Sequence, residues 1–240
     1  MIDVYGYCER LGPELLAEPL NALTNASFLI AAGAAWILAR RLGRLSTDVW
    51  VLLGLAFSVG IGSALWHTLA TPWAMLLDVV PILLFVLWFI WVYTRSVAGM
   101  PTPLAVASVI VFLGSAFFAQ EFLASLNPSL TYAPALVAIL VLGVFHAQNR
   151  PAARFSLLAA SGAYALALVF RMLDEAVCPA LPSGTHFVWH SLNGLVVYLA
   201  MRCVILSRAA RAGQRPYASH PARGLALRHQ NGSARGAEPS

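Results

Sequence analysis

The chain has 240 residues, of which 60% are hydrophobic and 10% charged, against roughly 25% charged in an ordinary soluble domain. That balance excludes a soluble globular fold. The formal charge of +5 is no sign of nucleic acid: residues 207–240 hold six arginines and one glutamate, which supplies the whole excess, while residues 1–206 hold nine arginines and nine acids.

Taken in chain order, residues 1–19 form an acidic N-terminal segment, with Asp3, Glu9, Glu14 and Glu18 against Arg10. It lacks the basic start of a cleavable signal peptide. Seven apolar stretches follow, near 20–39, 49–69, 74–94, 103–121, 130–147, 155–173 and 184–206. Each approaches the roughly 17–25 residues that cross a bilayer as a helix. The expected fold is therefore all-α: a polytopic membrane protein with seven transmembrane helices over 20–206. No repeat relates its halves, which disfavours an inverted-repeat transporter. Residues 207–240, rich in Gly, Ala, Ser and Arg, read as a basic disordered tail.

Arginines mark alternate loops: Arg40, Arg41 and Arg44, then Arg95, then Arg150 and Arg154, then Arg208 onward. The other loops carry Glu121 or Asp174 and Glu175, with Arg171 as the basic exception. The positive-inside rule puts the N-terminus outside and the C-terminus in the cytoplasm. The absence of lysine and the heavy use of Ala and Leu point to a GC-rich, bacterial source and its inner membrane. In a eukaryote the membrane would be that of the ER or Golgi. Cys8 and Cys178 fall on the same outer side, where an oxidising exterior permits them to pair; two unrelated free thiols is the other reading.

Polar residues inside apolar helices are costly and mark function. Ser63 and His67 end the second segment, Asp78 follows the start of the third, and His186 and His190 begin the seventh. Each pair at i, i+4 shares one helix face, and the topology puts all five at one depth. Three neutral imidazoles with a water form a known type of open zinc site, in which the metal lowers the water's pKa to about 7. Asp78 suits a general base, and Ser63 suits either a hydrogen-bond donor to an oxyanion or a small residue easing helix packing. A Ser-His-Asp triad reads the same letters but leaves the H-x3-H pair without a role. Asn21 and Asn25 read as structural, Pro81 as a kink after Asp78, and His146 as a cytoplasmic interface residue.

Around these residues the chain resembles the alkaline ceramidases, within the seven-helix hydrolase superfamily that includes the adiponectin receptors. The likeness is carried by GSALWHTLATPWAMLLD, by HFVWHSLNGLVVYL, and by YCE followed by EPLNALTN. The resemblance implies hydrolysis of the amide bond of ceramide-like lipids, to a sphingoid base and a fatty acid, by a zinc-bound water. His67, His186 and His190 are then the zinc ligands, Asp78 the base and Ser63 an aid to the oxyanion. It also implies a calcium site near the N-terminus, onto which the Tyr7 carbonyl, Glu9 and Glu18 map. Gly6 and Leu11 replace two expected oxygen donors there, which weakens a site for a hard cation. The cysteine of YCE is similar to one that pairs near the start of the seventh helix, which implies Cys8–Cys178.

The expected partner is thus a ceramide-like lipid in the membrane, and no nucleic acid. Two alternatives use the same residues. One is a hydrolase of another lipid amide or ester, and the other a non-enzymatic seven-helix receptor or transporter. Against the latter, no polar path continues from the cluster to the inner side.

Overall fold

A computed structural model describes residues 6–213 of the chain. Seven helices are long and apolar enough to cross a membrane: α1 (Pro19–Arg41), α2 (Thr47–Leu69), α3 (Pro72–Ala98), α4 (Thr102–Leu123), α5 (Pro128–Asn149), α6 (Ser156–Val177) and α7 (His186–Ala212). Among the described residues there is no strand. The protein is an integral multi-pass membrane protein.

Proline opens several of these helices. Pro19 and Pro72 stand in the first turns of α1 and α3, where the missing N–H would have had no partner in any case. The α2–α3 connection is short: Ala70 turns left-handed at φ 46° and Thr71 leads directly into Pro72. The chain therefore reverses within a few residues of His67, and the end of α2 lies beside the start of α3.

The core is built from α1, α2, α3 and α7. Small side chains line their contacts, with Ala35, Ala39 and Ala56 fully buried and Ala200 nearly so. Close backbone approach of this kind favours association of helices in lipid, where no hydrophobic effect drives them together. A second cluster joins α5, α6 and α7 around Trp189 and Tyr164. Helix α4 is peripheral and turns Ile110, Val111 and Phe117 outward, an apolar exterior suited to acyl chains.

Two helix ends differ from expectation. Helix α3 runs on to Ala98, its last turn being a wider π-helix over Tyr93–Ala98. The seventh helix extends to Gly213 instead of yielding to a tail at 207. Arg208 donates to Ser46 Oγ at 2.6 Å and Ser96 Oγ at 2.8 Å and pairs with Asp48, while Arg211 donates to the carbonyls of Ser96 and Val97. These bonds tie the last turns of α7 to the ends of α2 and α3. The rest of the expected tail, 214–240, lies outside the described residues, as do residues 1–5.

His146 is also not an interface residue. It is fully buried between α3, α5 and α7. Its Nε2 donates to the Ala152 carbonyl at 2.9 Å, leaving Nδ1 to accept from Tyr93 Oη at 3.1 Å.

Candidate functional site

The end of the bundle that carries the N-terminal segment gathers the polar residues. His67 comes from the last turn of α2, and His186 and His190 from the first two turns of α7. All three are buried. One ring nitrogen from each lies within 4.8 Å of the others, and ring centroids are 4.6–5.1 Å apart. Ser63 is buried one turn before His67. Tyr7 lies against the imidazole of His186, with centroids 4.1 Å apart.

Asp78 reaches this point because α2 and α3 touch at backbone distance. A Cβ on Gly62 would lie 1.8 Å from the Leu77 carbonyl oxygen and 3.2 Å from the Asp78 nitrogen. Pro81 lies four residues after Leu77, inside α3. It removes the N–H that would have bonded that carbonyl, and its ring crowds it. The freed carbonyl meets the one residue type that has room for it. Ser63, His67, Arg171 and Tyr132 are among the polar groups around the Asp78 carboxylate, and its buried Oδ1 has no hydrogen-bond partner.

The hydrogen bonds behind the histidines favour a metal. His67 Nδ1 donates to Glu18 Oε2 at 2.5 Å. Thr24 Oγ1 donates to the Leu20 carbonyl at 2.7 Å, so at 3.2 Å it accepts from His190 Nδ1. Both rings then keep the lone pair of an unprotonated Nε2 free for a metal. A carboxylate or hydroxyl holding the far nitrogen is the usual support of a metal-ligating histidine. Three neutral imidazoles and an unpartnered carboxylate oxygen fit zinc with an open position.

Two acids fix this frame, Asp174 from the last turn of α6 and Glu9 from the N-terminal segment. Asp174 Oδ1 accepts from the nitrogens of Thr185 at 2.6 Å and His186 at 2.8 Å, and Oδ2 from that of Cys8 at 3.2 Å. It thereby satisfies donors that a helix N-terminus leaves unpaired. Gly184, at φ 60°, is wedged against Asp174 and Cys8 where a Cβ would lie 2.1 Å from Asp174 Oδ1. Glu9 accepts from Leu20 and Asn21 at the start of α1, at 2.7 and 2.8 Å. A Cys8–Cys178 disulfide, with Cα atoms 5.3 Å apart, joins the N-terminal segment to the loop before α7. Asn21 Nδ2 donates to Glu18 Oε2 at 3.0 Å, and Asn25 Nδ2 to the Asn21 carbonyl at 2.9 Å.

A sequence profile described as Ceramidase matches residues 7–223, a span that takes in all seven helices and every residue of this cluster. The chain belongs to the ceramidase family. Membership makes it, in general terms, a ceramide hydrolase: an enzyme acting on an amide bond, with a lipid substrate. No curated protein matches the sequence.

The calcium that the family resemblance implies is a poorer fit in this ceramidase-family chain. The three candidate donors are engaged by protein groups. The Tyr7 carbonyl accepts from the Arg10 nitrogen at 3.1 Å, both Glu9 oxygens cap α1, and Glu18 is paired with Arg10 and His67. Arg10 already supplies a cation, and its NH2 donates to the His67 carbonyl at 2.8 Å.

Arg10, Thr24, Asp174 and Arg171 are site residues that sequence reading did not single out. Arg171 projects from α6, with NH1 3.3 Å from His186 Nδ1. Next to the site, an apolar cavity of about 380 Å³ opens among α3, α4, α5 and α7, lined by residues that include Val79, Phe89, Phe112, Ile139, Trp189 and Val197.

Proposed function

We propose that this chain cleaves the amide bond of a ceramide-like lipid, releasing a sphingoid base and a fatty acid, at a zinc ion held by His67, His186 and His190. The observation that carries the reading is the meeting of three buried imidazoles with the unpartnered Oδ1 of Asp78. When bound, zinc supplies Lewis acidity and lowers the pKa of a water to about 7. Asp78 Oδ1 takes the proton of the attacking water and returns it to the leaving amine nitrogen. The Ser63 hydroxyl donates to the acyl oxygen as charge develops there. Glu18 and Thr24 fix the tautomers of His67 and His190.

The adjoining cavity receives a hydrocarbon chain. It begins at Val79, next to Asp78, and at Trp189, next to His190, and continues between apolar walls. The site faces outward, with the arginine-rich end in the cytoplasm of a bacterial cell, following the positive-inside rule. Calcium has no assigned part in this account, since Arg10 takes up the charge of Glu18.

A single-turnover assay against paired lipids, equal in chains and differing only in an amide or an ester bond, tests the reading. Stoichiometric release of sphingoid base from the amide is expected. Cleavage of the ester alone, or of neither lipid, would overturn it.

A further inference from the structure

Arg171 has no place in the chemistry described so far, although it lies beside its centre. Its guanidinium is surrounded by rings, with its carbon 4.8 Å from the centroid of Tyr132, 5.2 Å from Trp189 and 5.9 Å from Tyr7. Its Nε is buried and has no partner. Among the described residues it forms no ion pair with a carboxylate. Its NH1 stands 3.3 and 3.5 Å from the two ring nitrogens of His186. An imidazole that gives one lone pair to a metal and carries a proton on its other nitrogen has none left for a guanidinium. Metal binding by His186 therefore frees NH1 to seek another acceptor.

A guanidinium remains charged at any working pH and is shaped to take a carboxylate with two parallel hydrogen bonds. The aromatic faces steady the cation without neutralising it. The nearby carboxylates are committed elsewhere: Glu18 to Arg10 and His67, and Asp174 to the start of α7. Asp78 faces Arg171 across the site without touching it. The space beside the guanidinium is thus an anion site next to an apolar cavity whose walls include Tyr132 and Trp189. A long-chain carboxylate has the matching form.

We propose that Arg171 is the carboxylate anchor of the site, binding the acyl oxygen of the substrate and then the carboxylate of the released fatty acid. The proposal rests on the amidase reading for the identity of its ligand. It makes the free fatty acid a tight product, so that the acid inhibits more strongly than a neutral chain of equal length.

The test measures equilibrium binding of oleate and oleyl alcohol to the purified metal-loaded protein in detergent, in wild type, Arg171→Gln and Arg171→Lys. Zinc content is determined for each. Oleate should bind about 10–100-fold more weakly to Arg171→Gln, while oleyl alcohol changes less than about threefold. Arg171→Lys, which keeps the charge but not the fork, should fall between, and it carries the test should the glutamine variant fail to fold. An oleate preference unchanged by either substitution would assign the anion to the metal alone and overturn the proposal. So would equal weakening of both ligands, the mark of a structural clamp on Tyr7, Tyr132 and Trp189. Binding is read without turnover, so failure of the anchor and failure of the amidase reading are separate results.

Discussion

At the scale of single residues, the site separates groups that do chemistry from groups that hold them. Asp78→Asn keeps the size of the side chain but cannot accept a proton. It should retain zinc and lose about 10²–10⁴-fold in turnover, the usual weight of general base catalysis. Ser63→Ala should cost about 10²–10³-fold if the hydroxyl serves the oxyanion. Glu18→Ala acts differently, because Glu18 meets His67 and Arg10 together. It should weaken zinc affinity about 10–100-fold, as measured by competition with a chelator. The same distinction explains what the sequence made legible. His67, Asp78, His186 and His190 stand out as polar letters inside apolar helices. Arg10 and Glu18 lie in the N-terminal segment and Asp174 in the last turn of α6, at the edges of apolar runs where a solvated charge and a buried one look alike. Some of their partners are far away in sequence, 57 positions for Arg10 and His67, 49 for Glu18 and His67 and 166 for Asp174 and Cys8. Arg171 ends an apolar run and stands out in the sequence only as the basic exception among the outer loops, although the fold turns it inward.

At the scale of elements, the pairing of α2 with α3 determines whether Asp78 meets the histidines. Gly62 meets the Leu77 carbonyl at backbone distance within that pairing. A methyl group added there has no flexible side chain to displace. Gly62→Ala should therefore lower stability by about 1–3 kcal/mol through overpacking, read as a lower melting temperature. Gly194→Ala, which meets Ser27 of α1 at 2.6 Å, tests the corresponding contact of α7. The spans themselves were legible from length and apolar content, and their observed bounds depart from expectation mainly at the ends. Those departures have tertiary causes. The last turns of α7 persist because Arg208 and Arg211 find partners on α2 and α3, contacts that composition does not reveal. The crossing at Gly62 was equally hidden, since GIGSA shows small residues but not which backbone they meet.

At the scale of the whole molecule, the seven helices need the N-terminal segment to complete the site. That segment contributes Tyr7 against His186, Arg10 against the His67 carbonyl and Glu18 against the His67 ring. The Cys8–Cys178 disulfide fastens it to the loop entering α7. Loss of a bridge that closes so long a loop should cost about 2–5 kcal/mol. Cys8→Ser should accordingly lower the melting temperature and reduce activity more than Cys203→Ser, whose thiol lies at the other end of the bundle. Because Arg10 supplies the cation beside Glu18, a calcium-selective chelator should leave activity and melting temperature unchanged. A loss of activity restored by added calcium would refute that part of the account.

The central claim is that three histidines from α2 and α7 hold one zinc. Metal analysis of the purified protein, in wild type and in a His186→Ala, His190→Ala double variant, tests it most directly. The account predicts about one zinc per chain in wild type and none in the variant, since one imidazole cannot supply the ligands of such a site. Full zinc occupancy in the double variant, or a wild type that folds and hydrolyses ceramide without any metal, would contradict it.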